Sequence, residues 1–421
     1  MRHLGALAWL LFWMLAASGL YLYLRFDTSA SGAYASIGEL EWWFGGVLRS
    51  LHRYAADAFV VVTVLHLFRE MYLGRFRGWR AFTWISGVPL VWLLYASGLV
   101  GYWLVWDTRS QFSFLATLEW LGIAARAGDA PDRLFSLFVF LHIGLPLALL
   151  AGMWVHVLRL GRPKTVAPRA LGFACAGMLL ALALLRPAVS EPQWDPLRAP
   201  QSVAVDWFYQ FVHPLMYATS PALLWALVLG VSALLLVLPW LSKAQVVVAR
   251  VDPANCNGCG RCVADCPYEA VVLSGGKAAV SASRCAACGI CAGAGPSSTP
   301  FRSILDLVSG IELPELTIRV LREKLRAALP TPEVVFCCEK SPQPGAIALR
   351  CLAMLPPAFV EYALRNGAQR VKAVGCEGEC AYRLGLELSD ERFAGQREPH
   401  LRASVVFERT SNEYRFRLRP V

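Results

Sequence analysis

RSLHRYAADAFVVVTVLHLFR, residues 49–69, decides the architecture of this chain. It is an apolar run with a histidine near each end, His52 and His66, fourteen positions apart. A second stretch repeats the arrangement: VFLHIGLPLALLAGMWVHVLR, residues 139–159, with His142 and His156. Fourteen residues of α-helix close nearly four turns, so both imidazoles of a pair share one helix face, about 21 Å apart along the axis. Two such helices side by side offer two stacked pairs of imidazoles, one near each face of a bilayer. That geometry suits two b-type haems, each held between two histidines. One buried histidine is ordinarily a hydrogen-bonded core residue; two pairs at identical spacing ask for more.

The surrounding composition agrees. The chain has 421 residues, a formal net charge of +10 and a mean hydropathy of +0.46, far too apolar for an ordinary soluble protein. The apolarity is concentrated before residue 242. Six segments there, 4–24, 48–71, 83–106, 133–160, 170–186 and 221–241, approach the roughly 20 residues that a spanning helix needs. The first is long and followed by further spans, which favours a helix over a cleaved signal.

Loop charges set an expected orientation. Segment 67–82 carries Arg69, Arg75, Arg77 and Arg80 against Glu70, and segment 157–170 carries Arg159, Arg162, Lys164 and Arg169 with no acid. The alternate loops are mildly acidic, with Asp27, Glu39 and Glu41 against Arg25, then Asp107, Glu119, Asp129 and Asp132 against Arg109 and Arg126. The positive-inside rule puts the basic loops in the cytoplasm. Six spans then place both termini there, pair His52 with His142 near the outer surface, and pair His66 with His156 near the inner one. A membrane surface accounts for the basic balance, and no nucleic-acid partner is expected.

The residues around the histidines carry a resemblance. Arg49-Ser-Leu-His52-Arg53, Leu65-His66-Leu67-Phe68-Arg69, Thr83-Trp84-Ile85-Ser86-Gly87 and Gly101-Tyr102-Trp103-Leu104-Val105-Trp106-Asp107 resemble the dihaem cytochrome b of quinol-oxidising bc and bf complexes, in its short chloroplast-type form. The similarity covers about residues 20–165 and continues weakly to about 242. It implies that Arg49 and Arg69 neutralise haem propionates, and that Gly87 and Gly101 let the third helix approach the porphyrin faces. Only a residue without Cβ permits such contact, and a carboxylate in a low-dielectric site needs a cation.

Two positions depart from that family. Val105 stands where it usually has proline, and its Pro-Glu-Trp-Tyr quinol loop has as nearest match Val205-Asp206-Trp207-Phe208. The glutamate of that loop is held to accept a quinol proton, and Asp206 is a shorter carboxylate in the same place. Desolvation can raise such a group toward the working range of a general base. Asp206 is thus the candidate catalytic residue, against the plainer reading of a polar residue at a helix end.

After Leu241 the character changes. Twelve of the thirteen cysteines follow residue 250, and in a cytoplasmic tail they point to metal ligation rather than disulfides. Cys256-x2-Cys259-x2-Cys262-x3-Cys266-Pro267 is the bacterial ferredoxin spacing for a 4Fe–4S cluster. A second run follows, Cys285-x2-Cys288-x2-Cys291, with Gly295 at the position of its fourth cysteine and Pro296 after it. In two-cluster ferredoxins the fourth cysteine of each run crosses to the other cluster. Cys285, Cys288, Cys291 and Cys266 then complete one 4Fe–4S cluster. Cys256, Cys259 and Cys262 lack a fourth thiolate, which leaves open a 3Fe–4S cluster, a non-Cys ligand or an open iron.

The last part reads as a small α/β unit, with strands at Glu333–Phe336, Ala346–Leu349 and Arg370–Val374 and a helix over Pro357–Gly367. Cys337, Cys338, Cys351, Cys376 and Cys380 lie at or just beyond strand ends, where ligands converge on one sheet edge. Phe336-Cys337-Cys338, Cys351 and Gly375-Cys376-Glu377-Gly378-Glu379-Cys380-Ala381-Tyr382 resemble the delta subunit of methyl-viologen-reducing hydrogenase. That family carries a 2Fe–2S cluster and serves a flavin- and iron–sulfur-containing partner of the heterodisulfide-reductase type. Ser341 stands where a further cysteine is expected. Four of the five cysteines suffice, and either Cys337 or Cys338 is spare. Cys175, alone in the fifth span, reads as a small apolar side chain.

No Cys-x-x-Cys-His, Walker A run or dinucleotide-binding glycine fingerprint occurs. The expected fold is therefore multi-domain, an all-α transmembrane bundle of about six spans followed by a ferredoxin-like α+β domain and a small α/β iron–sulfur domain. Its expected parts are a dihaem core at 1–165, two further spans with the quinone-loop-like segment at 166–242, the ferredoxin-type domain at 246–300, a helical linker at 301–329, the 2Fe–2S domain at 330–395 and a tail at 396–421. Arg319, Arg322, Lys324 and Arg326 mark a charged, solvated helix in the linker. The expected role is that of a membrane subunit of a prokaryotic inner-membrane, quinone-linked oxidoreductase, exchanging electrons with a cytoplasmic flavoprotein or hydrogenase. A pure electron-transfer anchor is the alternative, and a homodimer follows by analogy with cytochrome b.

Overall fold

The structure, a computed structural model, describes residues 3–123, 131–195, 197–198, 202–241, 247–301, 309–377 and 379–419. Arg126, Asp129 and Gly378, used above, lie outside the described residues. The chain divides into two units, Met1–Arg77 with Ala81–Leu158 and Pro163–Ser242, and Lys243–Val421 with the short pieces Gly78–Arg80 and Arg159–Arg162.

The first unit is helical: α1 Leu4–Arg25, α2 Val47–Tyr72, α3 Ala81–Trp103, α4 Thr108–Trp120, α5 Pro131–Val157, α6 Arg169–Leu185, α7 Val212–Ala218 and α8 Pro221–Val237. Among the described residues five helices are long and apolar enough to cross a membrane, at Leu4–Arg25, Trp42–Tyr72, Gly78–Trp103, Asp132–Val157 and Pro221–Leu241. The expected fifth span, α6, is a shorter apolar helix of 17 residues, at the low end of the roughly 17–25 residues that can cross a bilayer.

Helix α1 packs along α2, and α3 along α5. An apolar layer of Leu11, Phe12, Ala55, Phe59, Leu94, Leu149 and Met153 fills the bundle at sequence positions between the two histidine levels. A second cluster, with Trp103, Phe114, Phe135, Phe138 and Tyr209, lies beyond the first level. Asp107 starts α4 with its carboxylate accepting from Ser110 N at 2.8 Å, and its other oxygen accepts from Glu191 N at 3.0 Å. A helix start thus satisfies its own donors and tethers the segment after α6.

Among the described residues the second unit holds nine strands. β1 Arg250–Val251 pairs antiparallel with β4 Ile311–Glu312, and β2 Val271–Ser274 forms a hairpin with β3 Lys277–Val280. Gly275 and Gly276 both take positive φ in that two-residue turn, as a tight hairpin matched to strand twist requires. The remaining strands, β5 Thr331–Cys338, β6 Ile347–Leu349, β7 Ala368–Val374, β8 Val405–Thr410 and β9 Glu413–Leu418, make one sheet in the order β6-β5-β7-β9-β8. β5 is parallel to β6 and β7, while β9 runs antiparallel to β7 and β8.

Helices α9 Ile318–Ala328, α10 Pro357–Arg365 and α11 Gly385–Phe393 accompany the sheet, whose core includes Phe336, Phe359, Val371, Phe393, Tyr414 and Phe416. Two expectations change. Residues 405–418 of the expected tail are strands of this sheet. Helix α9 is not solvated all round, since Ile318, Leu321 and Leu325 are buried in the same core. Their spacing of three and four puts them on one helix face.

Candidate haem and iron–sulfur centres

Each histidine of α2 faces one of α5. The rings of His52 and His142 have centroids 6.3 Å apart, and those of His66 and His156 6.5 Å apart. Two imidazoles on opposite sides of one metal, each nitrogen about 2 Å from it, put their ring centres about 6 Å apart. The pairing is the one the spacing predicts.

Neighbouring helices fix the rings. Nδ1 of His52 lies 2.9 Å from Ser18 Oγ, and Nδ1 of His156 lies 3.2 Å from Ser86 Oγ. Nδ1 of His142 donates to the Ser97 carbonyl at 3.0 Å. Engaging Nδ1 orients the imidazole and leaves Nε2 as the metal-facing nitrogen.

A glycine stands against every one of these rings. A Cβ added at Gly101 would come within 2.7 Å of His142 Cε1, at Gly87 within 2.9 Å of His156 Cε1, at Gly19 within 3.1 Å of His52 Cε1, and at Gly5 3.9 Å from His66 Cε1. Gly5 and Gly19 escaped the sequence reading. Their signal was present, because both glycine pairs are spaced by fourteen residues, like the histidines. Flat cofactors between α2 and α5 fit this donor set, with glycines bordering each imidazole pair.

Arg49 and Arg69 sit three residues from His52 and His66, one helical turn away on the same faces. Arg49 donates to Ser190 Oγ at 2.8 Å, and Arg69 is paired with Glu70. Asp206 is buried. Its carboxylate pairs with Arg53, which also holds Asp57, and accepts from Phe208 N at 3.0 Å and Tyr209 N at 2.8 Å. The guanidinium of Arg53 lies 4.9 Å from the centre of the Tyr102 ring. Arg53 and Asp57 were not singled out from sequence; Asp57 lies on the same α2 face as Arg53, one turn on.

In the second unit the two ferredoxin-type runs share one backbone form. Gly258 and Gly260 have positive φ in the first loop, and Ala287 and Gly289 repeat it in the second. Such alternation turns backbone N–H groups toward one centre. Ala278 N donates to Cys256 Sγ at 3.4 Å, Ala270 N to Cys266 Sγ at 3.2 Å, and Ala287 N to Cys285 Sγ at 3.5 Å.

Cys266 interacts with Cys285, Cys288 and Cys291, and Cys262 with Cys256, Cys259 and also Cys291. Cys266 thus sits where a crossing fourth ligand would stand. Burial pushes the Cys288 thiol up to about 12 and raises Cys291 well above its ordinary value, each reinforced by neighbouring thiols. Such crowding of thiols suits an iron cluster, whose cations compensate the charge of its ligands.

Four further cysteines converge at the ends of β5 and β7. Cys338 Sγ lies 3.3 Å from Cys376 Sγ. Cys338, Cys376 and Cys380 form one buried cluster, and Cys380 also meets Cys351. A Cβ at Gly385 would run into the sulfurs of both Cys351 and Cys380. Successive strand residues point to opposite faces, so Cys337 turns away from Cys338. Of the two, Cys338 is the one that lies with Cys376 and Cys380. Cys351 packs with Cys288 in one buried group, so the second and third cysteine sets are neighbours.

Among the described residues, five membrane-length helices and the facing imidazole pairs make a multi-pass helical unit with the features of a dihaem membrane protein, followed by segments whose cysteines gather as in iron–sulfur domains. Residues 1–163 match the family model of cytochrome b/b6/petB, residues 248–271 a 4Fe-4S binding domain, and residues 335–402 the delta subunit of methyl-viologen-reducing hydrogenase. Cytochrome b6 of Mastigocladus laminosus is 36% identical over 106 residues, 25% of this chain and 49% of that protein. Cytochrome b6 of Prochlorothrix hollandica is 35% identical over 106 residues, 25% of this chain and 48% of that protein. The chain thus spans about half the length of the curated relatives it matches. A solved structure of a hyperthermophilic respiratory Complex III is similar at 23% identity and a TM-score of 0.47, covering 58% of this chain and 76% of that one.

Proposed function

We propose that this chain is the membrane electron-transfer subunit of a quinone-linked oxidoreductase. The observation that carries the reading is the pair of facing imidazole sets, at 6.3 and 6.5 Å and fourteen residues apart. In this reading His52 with His142 and His66 with His156 hold two b-type haems, with Arg49 and Arg69 toward their propionates. Cys266, Cys285, Cys288 and Cys291 hold a 4Fe–4S cluster, and Cys338, Cys351, Cys376 and Cys380 a 2Fe–2S cluster. When bound, these groups supply one-electron chemistry; the protein orients them and limits their access to water.

In this reading the iron–sulfur domains lie in the prokaryotic cytoplasm, an orientation that the basic loops support. Their partner is a flavin- and iron–sulfur-containing protein of the heterodisulfide-reductase type or a hydrogenase. Low-potential ferredoxin-type clusters favour electron flow from that partner to quinone.

Asp206 is the candidate quinone-site carboxylate. A second reading, an electron-transfer anchor with no quinone site of its own, is favoured by one observation. Asp206 already accepts from Arg53 and from two backbone N–H groups, so both of its oxygens are engaged by partners within the protein. The test is reduction of the b haems in the purified protein by a short-chain quinol, in wild type and Asp206→Asn. Reduction lost only in the variant supports a site at Asp206, and reduction in both places the quinone site elsewhere. Haems that dithionite reduces but quinol does not would establish the anchor.

A further inference from the structure

We propose that Cys256, Cys259 and Cys262 hold a three-iron cluster whose missing corner takes up ferrous iron reversibly. This inference rests on the ferredoxin-type reading of the segment and extends it to a position where the chain departs from that pattern. The cradle is well formed. Its loop has the same backbone as the four-thiol set, and its Cys256 sulfur receives a backbone N–H.

The departure lies opposite. Cys266 stands four residues after Cys262, and the equivalent position after Cys291 is Gly295. The three cysteines and Gly295 line one cavity together with Asn255, Asn257 and Ser297. Among the described residues of its lining there is no fourth thiol, carboxylate or imidazole. Ser297 Oγ accepts from Gly310 N at 3.1 Å, Asn257 Oδ1 accepts from Cys259 N at 3.2 Å, and Asn255 Nδ2 donates to Asp252 at 2.7 Å. These neutral groups are already committed and are poor substitutes for a thiolate.

One ligand differs in exposure. Cys256 and Cys262 are buried but Cys259 is exposed, whereas Cys266 and Cys285 are half-buried and Cys288 and Cys291 buried. An iron at the fourth corner would be held by cluster sulfides and solvent alone, within reach of water and oxidant. The exchange balances. Loss of one electron to an oxidant and of Fe2+ converts [4Fe–4S]2+ into [3Fe–4S]+. One electron from dithionite gives [3Fe–4S]0, which combines with Fe2+ to restore [4Fe–4S]2+.

The experiment is electron paramagnetic resonance of the full-length, detergent-solubilised protein after oxidation with ferricyanide. The expected result is the near-isotropic resonance of an oxidised three-iron cluster, close to stoichiometric with the chain, abolished by dithionite plus Fe2+. Gly295→Cys is expected to remove that resonance and supply a second 4Fe–4S signal on reduction. Gly295 has φ −70° and ψ 134°, open to any residue, and only Ser298 Oγ, 3.0 Å from the new Cβ, has to yield. Wild type alone also decides the matter. Two 4Fe–4S clusters with no three-iron resonance after oxidation would overturn the inference and leave the ferredoxin reading standing. Absence of any cubic cluster from the chain would overturn both.

Discussion

Gly101 lies so close to His142 that a methyl group on its Cα would stand 2.7 Å from Cε1 of the ring, inside van der Waals contact. Position 101 therefore controls whether the imidazole can keep its orientation. Gly101→Val is expected to lower bound haem from two per chain toward one, with the remaining haem at the His66/His156 level. Gly5→Ala is the control, because its Cβ would sit 3.9 Å from His66, an ordinary contact. Haem-to-protein ratios measured as the alkaline pyridine complex decide this, and equal loss in both variants would refute it.

The two adjacent cysteines at the end of β5 should behave oppositely. Cys338→Ser removes a sulfur 3.3 Å from Cys376 and is expected to abolish the 2Fe–2S absorption and resonance. Cys337→Ser is expected to retain both signals and cost mainly packing, since Cys337 is 1% exposed. Retention of the cluster in Cys338→Ser would return Cys337 to the ligand set.

A buried ion pair ties the ferredoxin-type segment to the sheet domain. Arg392 Nη2 lies 2.5 Å from Asp265 Oδ2, both side chains are 1% exposed, and Arg397 takes the other carboxylate oxygen. Removing the carboxylate strands the buried Arg392 guanidinium, so Asp265→Ala is expected to cost about 3–5 kcal/mol. Paired replacement as Arg392→Met with Asp265→Leu should cost less, because no charge is then stranded. Because Asp265 precedes Cys266, the measurement is the temperature at which cluster absorption bleaches. A larger loss in the double variant than in the single one would contradict this account.

Glu391 gives the sheet domain an acid-sensitive contact. Burial acts to raise its carboxyl, but Arg162 and Arg397 outweigh it and hold the group below the ordinary carboxylate value. A depressed carboxylate contributes stability that is full above its unfolded value, about 4.3. That contribution fades as pH falls through the lower folded value. Glu391→Gln should therefore lower the bleaching temperature at neutral pH and leave it nearly unchanged near pH 3. An equal drop at both pH values would show that the charge is irrelevant.

Ligand spacing was the legible part of this molecule. Histidines fourteen apart and cysteines two and three apart must face a common centre once the local backbone is fixed, so His52, His142 and Cys266 fell where their sequence placed them. What escaped depends on partners remote in sequence. Ser18 and Ser86 orient imidazoles from other helices, and Arg53 meets Asp206 across 153 positions. Helix α9 looked solvated because its arginines are conspicuous, although Ile318, Leu321 and Leu325 already had the spacing of a buried stripe. The tail was a different miss. Val405–Thr410 and Glu413–Leu418 alternate around a two-residue turn, a pattern that marks a hairpin, and Tyr414 and Phe416 point into the core.

That hairpin bears on how the sheet is closed. β9 lies between β7 and β8, so β7 is an inner strand only while the hairpin is in place. Its turn also clasps the backbone next to Cys376, with Gly375 N donating to the Asn412 carbonyl at 2.8 Å and Asn412 Nδ2 donating to the Gly375 carbonyl at 3.1 Å. The hydrogenase-delta likeness stops at residue 402, but a chain cut there would leave β7 as a bare edge, open to pairing with other molecules. The hairpin thus seals a sheet edge and steadies the backbone beside Cys376 with the same few residues.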